Sequence, residues 1–316
     1  MNGMETSTPV AGVDVSKLRL DVAVGEAGPA AAFANTAAGR DELVGWLGAQ
    51  GVRRVGFEAS GGYEQALRAR LDAARFEVVM HQPLEVSLLA RLTRRRAKND
   101  RLDARLIALA TARLNPRRQS SDPRMAEFAQ RLTAYEQAAD LVTLIKTHLE
   151  HTDLPDLVAA LRTQLQSLIA HKRMLARALE KRLCAYPDLR RRFELLCSLP
   201  GVGPIVALGL CIRMPELGTM RRGQPAALIG VAPFDRDSGT HKGQRVIAGG
   251  RRRPRRLLYL AALAAKRCDP GFKAFAASLI SRGKPAKVAI VAVMRKLIEA
   301  ANLILARNTP WIQTPT

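Results

Sequence analysis

From Met125 the apolar residues recur at spacings of three or four: Met125, Phe128, Leu132, Tyr135, Ala139, Val142, Ile145 and Leu149. That repeat commits the segment to a long helix with a single apolar seam. Leu154–Pro155 breaks it, and a second seam follows through Leu157, Leu161, Leu165, Leu168, Leu175, Leu179 and Leu183. Two such helices joined by a short break bury their seams by folding back on each other, so an antiparallel coiled-coil hairpin is expected over residues 122–186. Two uses fit it, a structural spacer and a dimerisation arm. The hairpin also divides the chain, leaving 1–121 before it and 187–316 after it as separate domains.

The first part alternates in the manner of an α/β domain. Val10–Val24 reads as a strand followed by a second around Leu18–Val24, and Arg40–Gln50 as a helix with Leu43, Trp46 and Leu47 on one face. Arg53–Glu58 is a short β-rich run ending before Gly61–Gly62, then helix through Ala74 and a strand at Glu77–His81. Helix returns across Glu85–Leu114 with an interruption near Arg94–Lys98. The expected order is strand, strand, helix, strand, helix, strand, helix. The last part is helical and punctuated by glycine. Its Leu199–Pro204 turn is similar to that of a helix-hairpin-helix, in which Gly201 and Gly203 would let backbone N–H groups approach a phosphate. A tight interhelical turn would use the same two glycines. The expected fold class is therefore α/β plus all-α.

Charge narrows the function. Fifty Lys and Arg stand against 28 Asp and Glu, a formal +22 with a pI near 11.0. Between Leu88 and Arg118 ten bases, including Lys98, Arg101 and Arg105, meet only Asp100 and Asp103. A second group, Lys242, Arg245, Arg251, Arg252, Arg253, Arg255 and Arg256, contains no acid, and Arg190–Arg192 form a third. Such runs point to a nucleic acid. Aromatics make up only 4% of the chain, so phosphate contact and duplex shape fit better than base stacking. No apolar run reaches the ~18 residues of a membrane span, and the N-terminus does not read as a secretory signal. A cytoplasmic location, nucleoid-associated in action, is the expectation. The four scattered cysteines read as reduced thiols. His148 and His151, three apart, lack a third convergent ligand.

Four acids stand out by position. Asp14 lies between Val13 and Val15 within a strand, Glu58 ends the Val55–Glu58 run beside a glycine-rich turn, and Asp100 and Asp103 share one face of a helical segment. Grouped carboxylates suit Mg²⁺ or Mn²⁺, two of which would clamp a phosphate during in-line displacement. Surface ion pairing among the neighbouring bases is the competing account of Asp100 and Asp103, and pattern alone does not exclude Asp21 or Asp41.

The segments Ala11–Lys17 (AGVDVSK), Gly56–Tyr63 (GFEASGGY) and Lys98–Ala104 (KNDRLDA) resemble the DEDD signature of the insertion-sequence 110 transposase family, which includes pilin-gene invertases. The resemblance spans nearly the whole chain. It implies a RuvC-like, RNase H-type N-terminal domain in which Asp14, Glu58, Asp100 and Asp103 bind two divalent ions per active site. It also implies that Ser238, in Gly230–Gly243 (GVAPFDRDSGTHKG), is the residue that attacks DNA. As bare sequence Asp-Ser-Gly is an ordinary turn, and no hydrolase elbow or His/Asp partner accompanies it. A serine hydroxyl needs activation, which bound metal and nearby cations would supply. The family's Gly-x-x-x-Arg-type element after this serine is replaced here by the dense run Gly249–Arg256. The resemblance further implies donor and target DNA as partners, a structured noncoding bridge RNA as guide, and a homo-oligomer such as a tetramer with composite active sites. The rivals are a Holliday-junction-type endonuclease using water on the same acids, and a non-catalytic nucleic-acid-binding protein.

Overall fold

A computed structural model describes residues 9–93, 100–114, 122–234 and 245–312, with side chains except at 83, 84, 100–102 and 123. The chain divides into two compact units, Met1–Ser121 and Asp122–Thr316.

The first unit is built on five strands: β1 (Val10–Val15), β2 (Arg19–Val24), β3 (Ala30–Ala34), β4 (Arg54–Glu58) and β5 (Glu77–His81). They lie in the order β3-β2-β1-β4-β5, antiparallel at β1–β2 and β2–β3 and parallel at β1–β4 and β4–β5. β3 is an addition to the expected order. Its Ala-Ala-Ala-Phe-Ala sequence favours helix locally, and cross-strand pairing with β2 overrides that preference on the sheet's edge.

Alternation gives the sheet two different faces. Ala11, Val13, Val55 and Phe57 join Leu43 and Leu47 of α1 (Ala37–Ala49) and Leu67 and Leu71 of α2 (Gln65–Ala73) in one core. The opposite face carries Gly12 and Gly56, directly paired in the parallel register. Across them lies α4 (Asp100–Arg113), preceded by α3 (Pro83–Leu92). The expected interruption of the long helix near Arg94–Lys98 lies outside the described residues. Leu106 and Leu109 of α4 bury with Val86 of α3 in a second, small core. The mixed sheet with flanking helices is compatible with an RNase H-like domain.

The second unit begins with α5 (Pro123–Glu150) and α6 (Pro155–Leu183), four residues apart and packed along each other. Along the seam Val142 and Ile145 are buried, while Leu141, Leu144, Leu154 and Leu157 are exposed. At the base, Phe128, Leu132, Leu179 and Leu183 enter the same core as the helices that follow. Those are α7 (Pro187–Cys197), α8 (Pro204–Arg213), α9 (Gln224–Ile229), α10 (Arg252–Cys268), α11 (Pro270–Ser281) and α12 (Ala286–Arg307). Between α9 and α10 lies the two-stranded ribbon β6 (Pro233–Phe234) and β7 (Val246–Ile247). The four cysteines are free thiols, and burial pushes Cys211 up to about 12. Among the described residues no helix is long and apolar enough to cross a membrane.

Candidate active site

The glycines decide where α4 can lie. A Cβ on Gly12 would strike the backbone of Ala104, Ile107 and Ala108, and one on Gly56 would strike the Thr111 side chain. Hydrogen at both positions lets the helix rest directly on the strands. Two residues beyond each glycine, on the same face, stand Asp14 and Glu58. Because β1 and β4 run parallel and in register, both acids sit at the same edge of the sheet. Asp103, in the first turn of α4 and next to Ala104, completes a group of three half-buried carboxylates.

Their electrostatics show that they share a neighbourhood. The Glu58 carboxyl is held above its ordinary value, first by burial and then by the negative charges of Asp14 and Asp103. Asp100 begins α4, three residues before Asp103, and its side chain lies outside the described residues. Among the described residues no three His, Cys, Asp or Glu side chains are gathered tightly enough to hold an ion. The donor chemistry nevertheless fits a hard divalent cation: the carboxylates are near enough for Asp14 and Asp103 to disfavour the ionised form of Glu58, and a cation would relieve that repulsion.

Residues outside the recognised segments fix this edge. His81, the register partner of Glu58 on β5, is buried with Nε2 2.8 Å from Thr111 Oγ1. The Thr111 hydroxyl donates to Ile107 O at 2.7 Å, so Nε2–H is the donor to the hydroxyl and the ring is held as that tautomer. Burial pushes His81 below its ordinary value, keeping it neutral. The pair pins α4 to the sheet above Gly56. Buried Glu64 accepts from Ser60 N–H, Ser60 Oγ–H and Gly62 N–H, which closes the loop after β4 around the left-handed Gly61 and Gly62. Those bonds hold Glu64 below the ordinary carboxylate range against its own burial. Asn35 Nδ2 donates to Ser16 O and to Tyr63 O, joining that loop to the one after β1. Only local pattern hinted at these roles: the Gly-Gly pair before Glu64, and a histidine closing an apolar strand.

The expected nucleic-acid contacts are placed unevenly. Arg105 donates to the carbonyls of Glu26 and Gly28 and so ties α4 to the β2–β3 turn. Arg251 grips both Glu216 oxygens at 2.8 and 2.6 Å and also donates to Arg213 O. Arg253 and Arg256 share Asp140 of α5 at 2.7 and 2.9 Å, and Arg255 donates to Gly230 O and Gly249 O. These guanidiniums thus lock the start of α10 to its surroundings, although Arg253 and Arg256, like Arg245 and Arg252, are exposed. Gly201, at φ +76°, presses against Ala261 and Ala265 of α10, where any Cβ would collide; close packing accounts for it. Gly203 is exposed and caps α8 in an extended conformation. Lys98, Ser238 and Lys242, and the side chain of Arg101, lie outside the described residues.

Residues 11–152 match the DEDD transposase family of IS110, described as "Transposase", and residues 193–277 match "Transposase IS116/IS110/IS902 family". The chain belongs to the IS110 transposase family. The pilin gene-inverting protein of Moraxella bovis is 25% identical over 296 residues, covering 88% of this chain and 89% of its own length. That of Moraxella lacunata is similar to the same extent. Membership makes the protein a transposase or recombinase, an enzyme acting on DNA, and implies use of a divalent metal, generally Mg²⁺. The first family match contains all four acids, and the second contains Ser238.

Proposed function

We propose that this transposase is a site-specific recombinase moving an insertion sequence by way of a phosphoserine link. Asp14, Glu58, Asp100 and Asp103 would hold two Mg²⁺ or Mn²⁺ ions, which when bound neutralise phosphate charge and favour its displacement. The observation that carries the acid site is the parallel register that brings Asp14 and Glu58 to one end of the sheet beside the first turn of α4, where Glu58 is raised first by burial and then by the charges of Asp14 and Asp103. In this reading residues 1–121 form a RuvC-like metal-binding domain, 122–186 a helical arm, and 187–316 the domain presenting the serine.

Ser238 Oγ attacks the scissile phosphorus. The Oγ–P bond forms as the bond to one DNA oxygen breaks, the serine proton leaves, and that DNA oxygen departs as a hydroxyl once protonated. Because a phosphodiester replaces a phosphodiester, the reverse attack by a DNA hydroxyl rejoins strands without an external energy source. Inversion, the activity named for the Moraxella relatives, requires the same cut and rejoin. Asp103 and Ser238 are far apart in sequence, in separate compact units. A composite site in a homo-oligomer such as a tetramer would unite them, and a bridge RNA pairing with donor and target DNA would set specificity.

Incubating wild type with a nicked suicide substrate and Mg²⁺ is expected to trap a protein–DNA adduct. Ser238→Ala should form none, and Asp14→Asn should reduce it at least ~10³-fold, as for loss of a reacting group, with DNA binding little changed. Cleavage by Ser238→Ala at the wild-type rate, with water as nucleophile, would replace this reading by the endonuclease one. Sequencing of copurifying RNA tests guidance: a discrete transcript flanking the gene is expected, and random cellular RNA counts against it.

A further inference from the structure

The antiparallel register sets Asp21 of β2 directly opposite Asp14 of β1. Directly opposed residues project on the same face, roughly 5 Å apart at Cβ. Asp21 therefore stands beside the acid group, and it is only 5% exposed. A further carboxylate at that edge is expensive unless it is neutralised. Arg19, two residues along β2 on the same face, supplies the neutralisation: Nε meets Oδ2 at 2.8 Å and Nη2 meets Oδ1 at 2.9 Å. The pair is strongly asymmetric, with the Asp21 side chain 7% exposed and that of Arg19 56%.

That asymmetry distinguishes the pair from a surface salt bridge. The carboxylate is buried and spent on orientation, while the planar guanidinium it orients is held open to solvent, one strand over from Asp14. A bidentate grip fixes the plane of the guanidinium as well as its position. DNA approaching Asp14, Glu58 and Asp103 carries the same sign of charge as they do. A cation fixed on the acids' own face, where phosphate must arrive, lowers that barrier in a way mobile surface bases do not.

We infer that Arg19, oriented by buried Asp21, contacts the scissile phosphate at the acid site and positions it for attack. The inference rests on the proposed acid site and adds to it a residue outside the four acids and the serine. Arg19 belongs to the sheet unit, so its contact would be present whichever subunit supplies the serine. Lysine would keep the charge but lose the fork.

The test is single-turnover cleavage of the suicide substrate with Mg²⁺, alongside Mg²⁺ titration and DNA binding. Arg19→Ala should cleave about 10²-fold more slowly, comparable to removal of one preorganised donor at a developing oxyanion, with metal and DNA affinities within threefold of wild type. Added guanidinium ion should restore part of the rate to Arg19→Ala and none to wild type, and Arg19→Lys should fall between. Since Arg19→Ala strands a buried carboxylate, Arg19→Met/Asp21→Asn removes both charges together and should fold normally while remaining slow. A loss under threefold in the double variant would overturn the inference. So would a loss that follows metal affinity, or one relieved by neither guanidinium nor lysine. Asp14→Asn run in parallel separates the two readings: if it too cleaves normally, the acid site itself fails; if it is inactive while the Arg19 variants are fast, only Arg19's part fails.

Discussion

Glu58 carries opposing demands, and they are separable by experiment. Its carboxyl is half-buried beside two like charges, so the ionised form is disfavoured in the folded protein. A folded-state value above the unfolded one contributes stability that is present at acid pH and lost as pH rises through the raised value. Without metal, Glu58→Gln is therefore expected to melt at a higher temperature than wild type near about pH 7, and the gain should vanish below the ordinary glutamate range of about 4.3. Saturating Mg²⁺ should reverse the order, since a ligand bound to the folded state stabilises wild type and the amide loses that ligand. Thermal melts at both pH values, with and without Mg²⁺, measure all four conditions. A metal-free Glu58→Gln that melts lower at neutral pH contradicts this account of the residue.

The element that assembles the site is α4, and two hydrogens govern its placement. Gly56 stands beneath Thr111, whose hydroxyl holds His81, so a methyl at position 56 would push the helix off the strand and break that contact. Overpacking of this kind costs about 1–3 kcal/mol. Gly56→Ala is expected to lower stability by that amount in denaturant unfolding and to weaken Mg²⁺ binding by moving Asp103 from Asp14 and Glu58. A fully stable Gly56→Ala with unchanged metal affinity would show that α4 does not depend on this approach. Asp14 and Glu58 stood out in the sequence because a charge within or closing an apolar strand is conspicuous, whereas Asp100 and Asp103 stood out by their spacing of three and by the family resemblance. The glycines that bring them together did not, since a strand glycine signals close approach without naming what approaches. Edge strand β3 was hidden by its alanines, although Gly28-Pro29 precedes it and Phe33 lies within it. Prolines held more information than their reading as breaks and linkers used: α5, α6, α7, α8 and α11 all begin at one, where its missing N–H has no helical partner to lose. The arginine run at α10 reads as grip in sequence, but only side-chain packing reveals how much of it is turned onto Asp140, Glu216 and nearby carbonyls.

At the scale of the whole chain the charge is unevenly divided. Residues 1–121 hold 18 Lys and Arg against 13 Asp and Glu, and residues 122–316 hold 32 against 15. The net values, +5 and +17, place most of the excess in the helical unit, even after its internal ion pairs cancel part of the gross count. The sheet unit, which carries the four acids of the proposed metal site, is nearly balanced in charge. In the proposed reading metal binding and most of the grip on DNA therefore fall in different units, each with its own buried core. Non-specific nucleic-acid affinity falls with salt in proportion to the phosphates neutralised, at about −0.9 per phosphate on a log–log plot for duplex DNA. A chain of residues 122–316 alone is expected to keep most of the full-length salt slope, while residues 1–121 alone should bind DNA weakly with a shallow slope and retain Mg²⁺ binding. Filter-binding titrations from about 50 to 200 mM salt, where a contact set of six to ten phosphates loses about 10³–10⁵ in affinity, resolve the difference. A full slope in residues 1–121 would mean that the bases flanking Asp100 and Asp103, rather than the helical unit, hold the DNA.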